Sequence, residues 1–331
     1  MKKILITGAT GFIGNFLVDE AISRGYNVYV AVRKTSNISK LKDKNVTIVE
    51  LNFTDNNQLN NSFMQLPRFD YIIHNAGLTK SLKKDEYIEV NCRNTTRFIQ
   101  ALKQQHKSPD KFLYMSSLAA YGPGDENSTS PVLLDSIPKP VTTYGKSKLL
   151  AEKFIIEEAN IPYIIIRPTA VYGPGDKDIF ETIKLINKRV NFQIGTKDQN
   201  YTFIYVKDLV RVVLDATESD SLNKAYFVSD GNLYHNREMG IIVSYLINKS
   251  VVHISVPLCI VRIIASVVEF ISRFTRKAPA LNVEKIPELS ARNWNCDIQP
   301  LKTDFNFSAV YNLENGLAET VNWYKQEGWI K

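Results

Sequence analysis

Short apolar runs alternate with segments of helical periodicity through the first half of the chain. The runs KILIT, NVYVAV, VTIVEL, FDYIIH, KFLYMSS and PYIIIRP are rich in β-branched and aromatic residues and predict six strands. Helices are predicted between them at residues 12–24, 55–65, 84–105 and 144–158. This alternation is typical of right-handed βαβ units. It therefore predicts an α/β fold with a doubly wound parallel sheet that helices cover on both faces.

The alternation weakens after residue 169, where the turn-rich VYGPGD follows the sixth strand. The segment GTKDQNYTFIYVKDLV leads into another helix, and residues 231–331 mix helices and loops without a repeat. We predict a larger domain over residues 1–168, to which 203–230 return. A smaller C-terminal lobe is expected to form mainly from 169–202 and 231–331, over a ligand cleft at the carboxyl ends of the strands.

Composition narrows the class of protein. The chain has 331 residues, of which 44% are apolar and 23% charged, as in a globular domain. Three cysteines without CxxC spacing and four scattered histidines predict neither a disulfide framework nor a metal site, and they suit a cytoplasmic protein. The net charge of +7 is spread along the chain, which argues against nucleic-acid binding.

Neither a signal peptide nor a membrane span is expected. The first apolar run is shorter than a signal core, and no uncharged apolar run approaches the roughly 20 residues that span a bilayer.

A glycine-rich turn follows the first predicted strand. ITGATGFIG places Gly8, Gly11 and Gly14 between that strand and the first helix, which opens with Phe12 and Ile13. Glycines allow the backbone to approach a pyrophosphate closely, and the helix N-terminus offers free N–H groups to the anion. At the start of repeated βα units this pattern predicts a dinucleotide-binding Rossmann domain.

The end of the second strand bears on the choice of dinucleotide. An acidic residue there would bind the ribose 2′-hydroxyl of NAD, but the sequence is AVRK and no carboxylate follows until Asp43. Arg33 is suited to a 2′-phosphate. We therefore expect NADP(H) in preference to NAD(H), with a solvated surface role for Arg33 as the alternative.

The segment TTYGKSK places Tyr144 and Lys148 four residues apart, on one face of a predicted helix. An adjacent ammonium favours the phenolate, and we expect it to lower the tyrosine pKa. Such a pair would serve proton transfer to or from a substrate oxygen; an ordinary surface pair is the alternative.

Seven motifs together resemble the extended short-chain dehydrogenase/reductase family: TGATGFIG, HNAG, VNCRNT, MSSLAAYGPG, YGKSK, RPTAVYGPGD and FIYVKDLV. The C-terminal LENGLAETVNWYKQEGW is also similar to the closing helix of that family. The resemblance implies that Tyr144 is the catalytic acid/base and that Lys148 binds the nicotinamide ribose. It also implies that Ser117 bonds the reacting oxygen, with Ser116 as the competing choice, and that Asn91 supports the site.

The same resemblance implies further contacts. Ala76 and Gly77 would leave room for the cofactor ribose, Asn52 and Phe53 would lie near the adenine, and Pro168 and Thr169 would line the nicotinamide. Candidate substrate contacts are Thr79, Lys80, Tyr172 and Arg211. A homodimer through the helices at 84–105 and 144–158 is a family expectation.

The choice of branch rests on departures from the sugar-enzyme pattern. Leu118, Ala119 and Ala120 stand where 4,6-dehydratases carry Thr-Asp-Glu, which argues against a dehydratase. We expect an NADPH-dependent reductase of a bulky, lipid- or sterol-like carbonyl compound. The alternatives are a nucleotide-sugar epimerase and a non-catalytic NADP-binding regulator.

A predicted helix at residues 257–274 supports the expectation that the substrate is apolar. It carries a narrow polar stripe of Arg262, Ser266, Glu269 and Arg273 on an otherwise apolar surface. We interpret it as lobe core or a subunit interface. The alternative is a peripheral membrane contact with Arg273, Arg276 and Lys277 near lipid head groups.

Overall fold

The computed structural model describes residues 1–275, 279 and 281–330. The strands, in chain order, are β1 Lys3–Thr7, β2 Asn27–Val32, β3 Thr47–Glu50, β4 Tyr71–His74, β5 Lys111–Met115, β6 Tyr163–Pro168, β7 Ala170–Tyr172, β8 Val190–Ile194, β9 Asn200–Tyr201, β10 Phe203–Tyr205, β11 Lys224–Val228, β12 Tyr234–His235 and β13 Val252–Val256.

The α-helices are α1 Phe12–Ser23, α2 Asn56–Gln65, α3 Lys84–Ile88, α4 Asn94–Gln104, α5 Thr143–Glu157, α6 Asp178–Asn187, α7 Val206–Glu218, α8 Glu238–Leu246, α9 Leu258–Thr275, α10 Ile286–Ser290, α11 Gln299–Phe305 and α12 Leu313–Gln326. A π turn at Glu89–Arg93 joins α3 to α4, and short 3₁₀ turns lie at Ser39–Leu41, Leu118–Ala120 and Val283–Lys285. Within the described part of the chain, none of these helices has the length and apolar character needed to cross a membrane.

Seven strands form one parallel sheet in the order β11-β6-β5-β4-β1-β2-β3. The chain runs outward from β1 to β3 and then returns to place β4 on the other side of β1. The junction of β1 and β4 is therefore the topological switch point, where ligands bind in such sheets. The predicted doubly wound Rossmann fold is confirmed.

The sheet is buried on both faces because alternate side chains point in opposite directions. Ile4 and Ile6 of β1 join one apolar cluster with α1 and α7, whereas Leu5 joins the opposite cluster with α2, α4 and α5. This explains why the strands read as continuous apolar runs. All six predicted strands are present, and β11, which the sequence pattern missed, pairs with β6.

A third apolar cluster lies beside the sheet and gathers β7, β10, α6, α8 and α12. Tyr324 of α12 stacks on Trp329 with 5.3 Å between ring centroids. A fourth, small cluster holds Val261 and Ala265 of α9 against Ile286 of α10.

The predicted helix at 257–274 is present as α9, but its interpretation as lobe core is wrong. Most of its large apolar side chains are exposed, because only a narrow face of the helix packs on the protein. Of the residues expected near lipid head groups, Arg276 and Lys277 and the side chain of Arg273 lie outside the described residues.

Candidate active site

The turn between β1 and α1 is tightly packed. Gly8 has φ of +69°, and a Cβ there would lie 2.8 Å from the Asn75 carbonyl oxygen. A Cβ on Gly14 would lie only 2.0 Å from the Gly8 carbonyl oxygen, so helix α1 can approach the turn this closely only with glycine. Gly11 provides no side-chain cap, and the first N–H groups of α1 are left for an anion.

A chain of hydrogen bonds joins this turn to the loop after β4. The Ala76 N–H donates to Thr7 Oγ1 at 2.9 Å, and the Thr7 hydroxyl lies 2.9 Å from His74 Nδ1. His74 Nε2 lies 3.0 Å from Thr95 Oγ1, whose hydroxyl donates to the Asn91 carbonyl at 2.8 Å. Burial and the nearby Lys148 charge lower the His74 pKa to about 3, so the ring is neutral. A neutral ring has one donor and one acceptor nitrogen, so every hydrogen bond in this series points from Ala76 towards Asn91.

Asn91 lies in the π turn and is fully buried. Its side chain accepts from the Leu78 N–H at 2.7 Å and donates to the Leu78 carbonyl at 3.0 Å and to Ser147 Oγ at 2.9 Å. Asn91 thus ties the loop after β4 to helix α5. The predicted helix at 84–105 is interrupted here by the π turn, a local widening that is frequent at functional sites.

Tyr144 lies in the first turn of α5, which Thr142 caps by accepting from the Gly145 N–H at 3.1 Å. Burial raises the pKa of Tyr144 to about 12, and the negative charge of Glu288 adds to this effect. A hydrogen bond from Ser117 acts in the opposite direction and lowers that pKa. The phenol is therefore protonated at neutral pH.

Lys148 lies one turn further along α5, and its ammonium binds at the end of β5. Nζ donates to the Met115 carbonyl at 2.7 Å and lies 4.8 Å from the Tyr114 ring centroid. Burial lowers the pKa of Lys148 to about 8. The expectation that Lys148 lowers the pKa of Tyr144 is wrong in this structure, because burial dominates and the ammonium faces the end of β5.

The two serines after β5 point to different neighbours. Ser116 is buried and donates to Glu152, whose carboxylate also binds Arg167 with N–O distances of 2.9–3.2 Å. Ser117 accepts from the Ala119 N–H at 3.1 Å, and its hydroxyl lowers the pKa of Tyr144. Of the two candidates, the structure places Ser117 and not Ser116 beside the phenol.

A cavity of about 150 Å³ lies over Tyr144. Its lining is mostly polar and comes from both the sheet side and the C-terminal segment: Thr79, Tyr87, Thr142, Tyr144, Asp178, Asn282, Glu284, Lys285 and Glu288. Glu284 accepts from the Thr143 N–H at the start of α5, which fixes the C-terminal segment over the tyrosine.

The predicted cofactor residues lie along the carboxyl edge of the sheet. Arg33 follows β2 and is exposed, with its N–H donating to Ser36 Oγ at 3.0 Å. Asn52 is exposed beyond β3 and accepts from Thr54, while Phe53 packs on Phe98 with 5.4 Å between ring centroids.

The centre of that edge is close-packed. A Cβ on Gly77 would lie 3.1 Å from Lys148 Nζ and 3.2 Å from Asn91 Oδ1. Pro168 ends β6, and Thr169 Oγ1 is buried without a hydrogen-bond partner among the described residues. Together with the glycine turn that any Cβ at Gly14 would fill, this orphaned hydroxyl fits an edge built around a bound dinucleotide.

The four predicted substrate contacts lie in different surroundings. Thr79 lines the cavity, and Lys80 forms an ion pair with Asp178 at its rim. Tyr172 is only 1% exposed and donates to the Asn312 carbonyl at 3.1 Å, so its prediction as a substrate contact is wrong. The prediction of Arg211 as a substrate contact is also wrong, because Arg211 binds Asp208 and the Ser308 carbonyl outside the cavity.

Sequence reasoning missed Tyr87, Glu284 and Glu288. Tyr87 packs edge-on against Tyr144 with 6.4 Å between ring centroids. Glu284 and Glu288 come from a segment that follows α9 and carries no motif. The one feature of the sequence that could have indicated them is the spacing of four between Glu284 and Glu288, which places two carboxylates on the same side of a helical turn.

A glycine turn at the switch point of a parallel sheet, with a half-buried tyrosine across the same edge, defines a dinucleotide-dependent enzyme class. The family model described as the NAD dependent epimerase/dehydratase family matches residues 4–228. The chain belongs to that family and is an enzyme of the NAD-dependent type.

The similar proteins are named for different substrates. The chain is 28% identical to a UDP-glucose 4-epimerase of Vibrio cholerae, over 78% of this chain and 79% of the relative. It is 23% identical to the decarboxylating sterol-4-alpha-carboxylate 3-dehydrogenase erg26 of Schizosaccharomyces pombe, over 99% and 98%.

Among solved structures, the UDP-glucose 4-epimerase of Thermotoga maritima with UDP-glucose has a TM-score of 0.79 and is 21% identical, covering 98% of this chain and 99% of that one. That similarity shows the shared fold.

Proposed function

We propose that the protein is an NAD(P)-dependent reductase of a bulky carbonyl compound in which Tyr144 acts as the proton donor. The observation that carries the proposal is the position of Tyr144, which is half-buried and lines the cavity beside Ser117, whose hydroxyl lowers the pKa of the phenol. The dinucleotide, when bound, supplies hydride to the carbonyl carbon. Tyr144 donates its proton to the carbonyl oxygen, and Ser117 stabilises the charge that develops there.

The raised pKa of Tyr144 supports its role as a proton donor. At about 12 it keeps the phenol protonated at neutral pH, which is the form that a general acid requires. The side chains of Lys148 and Asn91 meet at Gly77, in the loop after β4. Lys148 would bind the nicotinamide ribose there, and Asn91 would hold the loop and α5 in register.

For the dinucleotide we propose NADP(H). Arg33 and Lys34 are exposed at the end of β2, and no carboxylate stands between them and Asp43. An arginine at this place forms charge-assisted bonds to a 2′-phosphate, whereas NAD recognition uses an acid. Replacing Arg33 by Asp should reverse the preference. Unchanged affinities for both dinucleotides in a fluorescence titration would refute the role of Arg33.

For the substrate we propose a lipid-like molecule whose carbonyl lies beside hydroxyl or amide groups. Two observations support a bulky apolar substrate: full-length similarity to a sterol-4-alpha-carboxylate 3-dehydrogenase, and the apolar helix α9, which packs on the segment that carries Glu284 and Glu288 into the cavity. The carboxylates of Asp178, Glu284 and Glu288 support hydrogen-bond donors near the carbonyl.

A nucleotide-sugar epimerase is the second candidate. The polar lining of the cavity favours it, as does similarity to a UDP-glucose 4-epimerase. The same carboxylates count against a diphosphate lying at this end of the cleft, because like charges repel.

The two candidates differ in cofactor turnover. We would screen lipid ketones and UDP-sugars with NADPH, measuring both absorbance and product. Steady NADPH consumption supports the reductase, whereas isomerised product without net consumption supports the epimerase. Failure of the whole panel would support a non-catalytic NADP-binding regulator.

Tyr144→Phe tests the mechanism directly. It should lower turnover by about 10²-fold or more while leaving NADPH affinity nearly unchanged. Tyr245→Phe is the matched control, because Tyr245 is 81% exposed on α8. Turnover by Tyr144→Phe at the wild-type rate would refute the proposed acid.

We also propose a homodimer through α4 and α5, since Leu150 and Ile156 of α5 are exposed. Sedimentation velocity with Leu150→Glu tests this contact, and an unchanged dimer would contradict it.

A further inference from the structure

Helix α9 exposes a continuous apolar face. Its large apolar side chains are between 45% and 76% exposed, and they follow helical spacing: Ile260, Ile263, Ile264, Val267, Phe270, Ile271 and Phe274. Single exposed apolar residues are normal on protein surfaces, but a contiguous set on one helix marks an interaction surface.

The opposite face of α9 accounts for its attachment to the protein. Val261 is 3% exposed and Ala265 is fully buried, and both contact Ile286 of α10. These inward-facing side chains are small, which lets the helix lie flat on the lobe. The large apolar side chains consequently point outward and are not required to hold the helix in place.

The charge of the segment indicates what covers the exposed face. Residues 258–277 contain four basic residues and one acidic residue: Arg262, Arg273, Arg276, Lys277 and Glu269. A helix with an exposed apolar face, in a segment of net positive charge, is suited to the surface of an anionic bilayer. A second copy of the segment would carry the same net positive charge, which disfavours its pairing with the first.

The position of α9 would connect contact with a membrane to the cavity over Tyr144. The helix packs on the turn Val283–Lys285 and on α10, the segment that carries Glu284 and Glu288 into the cavity over Tyr144. We propose that the exposed face of α9 inserts into the interfacial region of an anionic lipid bilayer. The mouth of the cavity then lies next to the lipid. The docking itself does not depend on the proposed hydride transfer.

Vesicle co-sedimentation tests the proposal with the full chain. Vesicles of phosphatidylcholine alone are compared with vesicles containing one quarter phosphatidylglycerol, at low and high salt. We expect binding to the anionic vesicles that weakens with salt. Absence of binding to anionic vesicles, or equal binding to both compositions, would overturn the proposal.

The double variant Ile263→Glu/Val267→Glu identifies the surface. It should reduce the partition coefficient by about tenfold or more, because it places carboxylates where apolar side chains meet the lipid. The matched control is Met64→Glu/Ile137→Glu, at positions 64% and 80% exposed outside α9. The control should bind vesicles like the wild type, and circular dichroism should show both variants folded.

Two results for the α9 variant would overturn the assignment. One is vesicle binding equal to that of the control. The other is a loss of oligomer in sedimentation velocity without vesicles while vesicle binding persists, which would assign the face to a second copy of the chain.

Discussion

His74 offers the sharpest test of the network beneath the proposed dinucleotide site. The ring is 1% exposed and is held between Thr7 and Thr95 at 2.9 Å and 3.0 Å. Its pKa is lowered to about 3, first by burial and then by the charge of Lys148. An unfolded chain protonates histidine near pH 6.5. Between these two values the unfolded chain therefore binds more protons than the folded protein.

The sign and size of the effect follow from proton linkage. Because the unfolded state gains the proton first, the free energy of unfolding falls as the pH drops from about 6.5 towards 3. Between pH 7 and pH 4.5 the loss due to His74 alone is about 2.5 kcal/mol, at roughly 1.4 kcal/mol for each unit.

The replacement His74→Gln keeps polar groups in the position but does not titrate. We expect it to be less stable than the wild type at pH 7, by about 1–3 kcal/mol, because its hydrogen bonds fit less well. The difference in free energy of unfolding between the wild type and His74→Gln should be about 2.5 kcal/mol smaller at pH 4.5 than at pH 7. Carboxylates that titrate in the same range are common to both proteins and cancel in the difference.

Urea titrations followed by far-ultraviolet circular dichroism at the two pH values measure these free energies. His106→Gln is the control, since His106 is exposed, and it should retain the wild-type pH dependence. If His74→Gln loses as much stability on acidification as the wild type, the ring is not buried as a neutral group and the reasoning fails.

Three further changes probe other parts of the site. Gly14→Ala should weaken NADPH binding by about tenfold or more in a fluorescence titration, because the added Cβ would lie 2.0 Å from the Gly8 carbonyl; wild-type affinity would contradict this packing. Glu152→Gln should cost about 3–5 kcal/mol in urea unfolding by leaving Arg167 buried without its partner, and adding Arg167→Met should restore part of it. Glu288→Gln should move the alkaline limb of the reduction profile to lower pH, because the Glu288 charge raises the Tyr144 pKa; an unmoved limb would exclude this coupling.

Much of the sheet could be predicted because buried parallel strands leave a local signal. Strands such as β5 and β6 are covered on both faces, and so they read as unbroken apolar runs between turns. Strand β11 left a weaker signal. It reaches β6 only after a long excursion of the chain, and no local pattern reports a pairing between residues so distant.

The sequence predicted only those parts of the site that are formed by residues close together in the chain. The glycine turn and the spacing of Tyr144 and Lys148 are short-range features, and the sheet topology places them on one edge. The direction of the Lys148 side chain is not short-range, since the Met115 carbonyl on another strand determines it. Glu288 was missed for the same reason, and burial of Tyr172 depends on α12, which lies at the far end of the sequence.

The late arrival of β11 has a consequence for synthesis of the protein. Strand β6 ends at Pro168, but the strand that covers its outer edge begins at Lys224. While the ribosome makes the intervening stretch, the isoleucine-rich edge of β6 has no neighbour and is open to pairing with other nascent chains. A pause in translation after β6 would therefore favour aggregation, and a chaperone bound to that edge would protect the chain until Val228 has emerged.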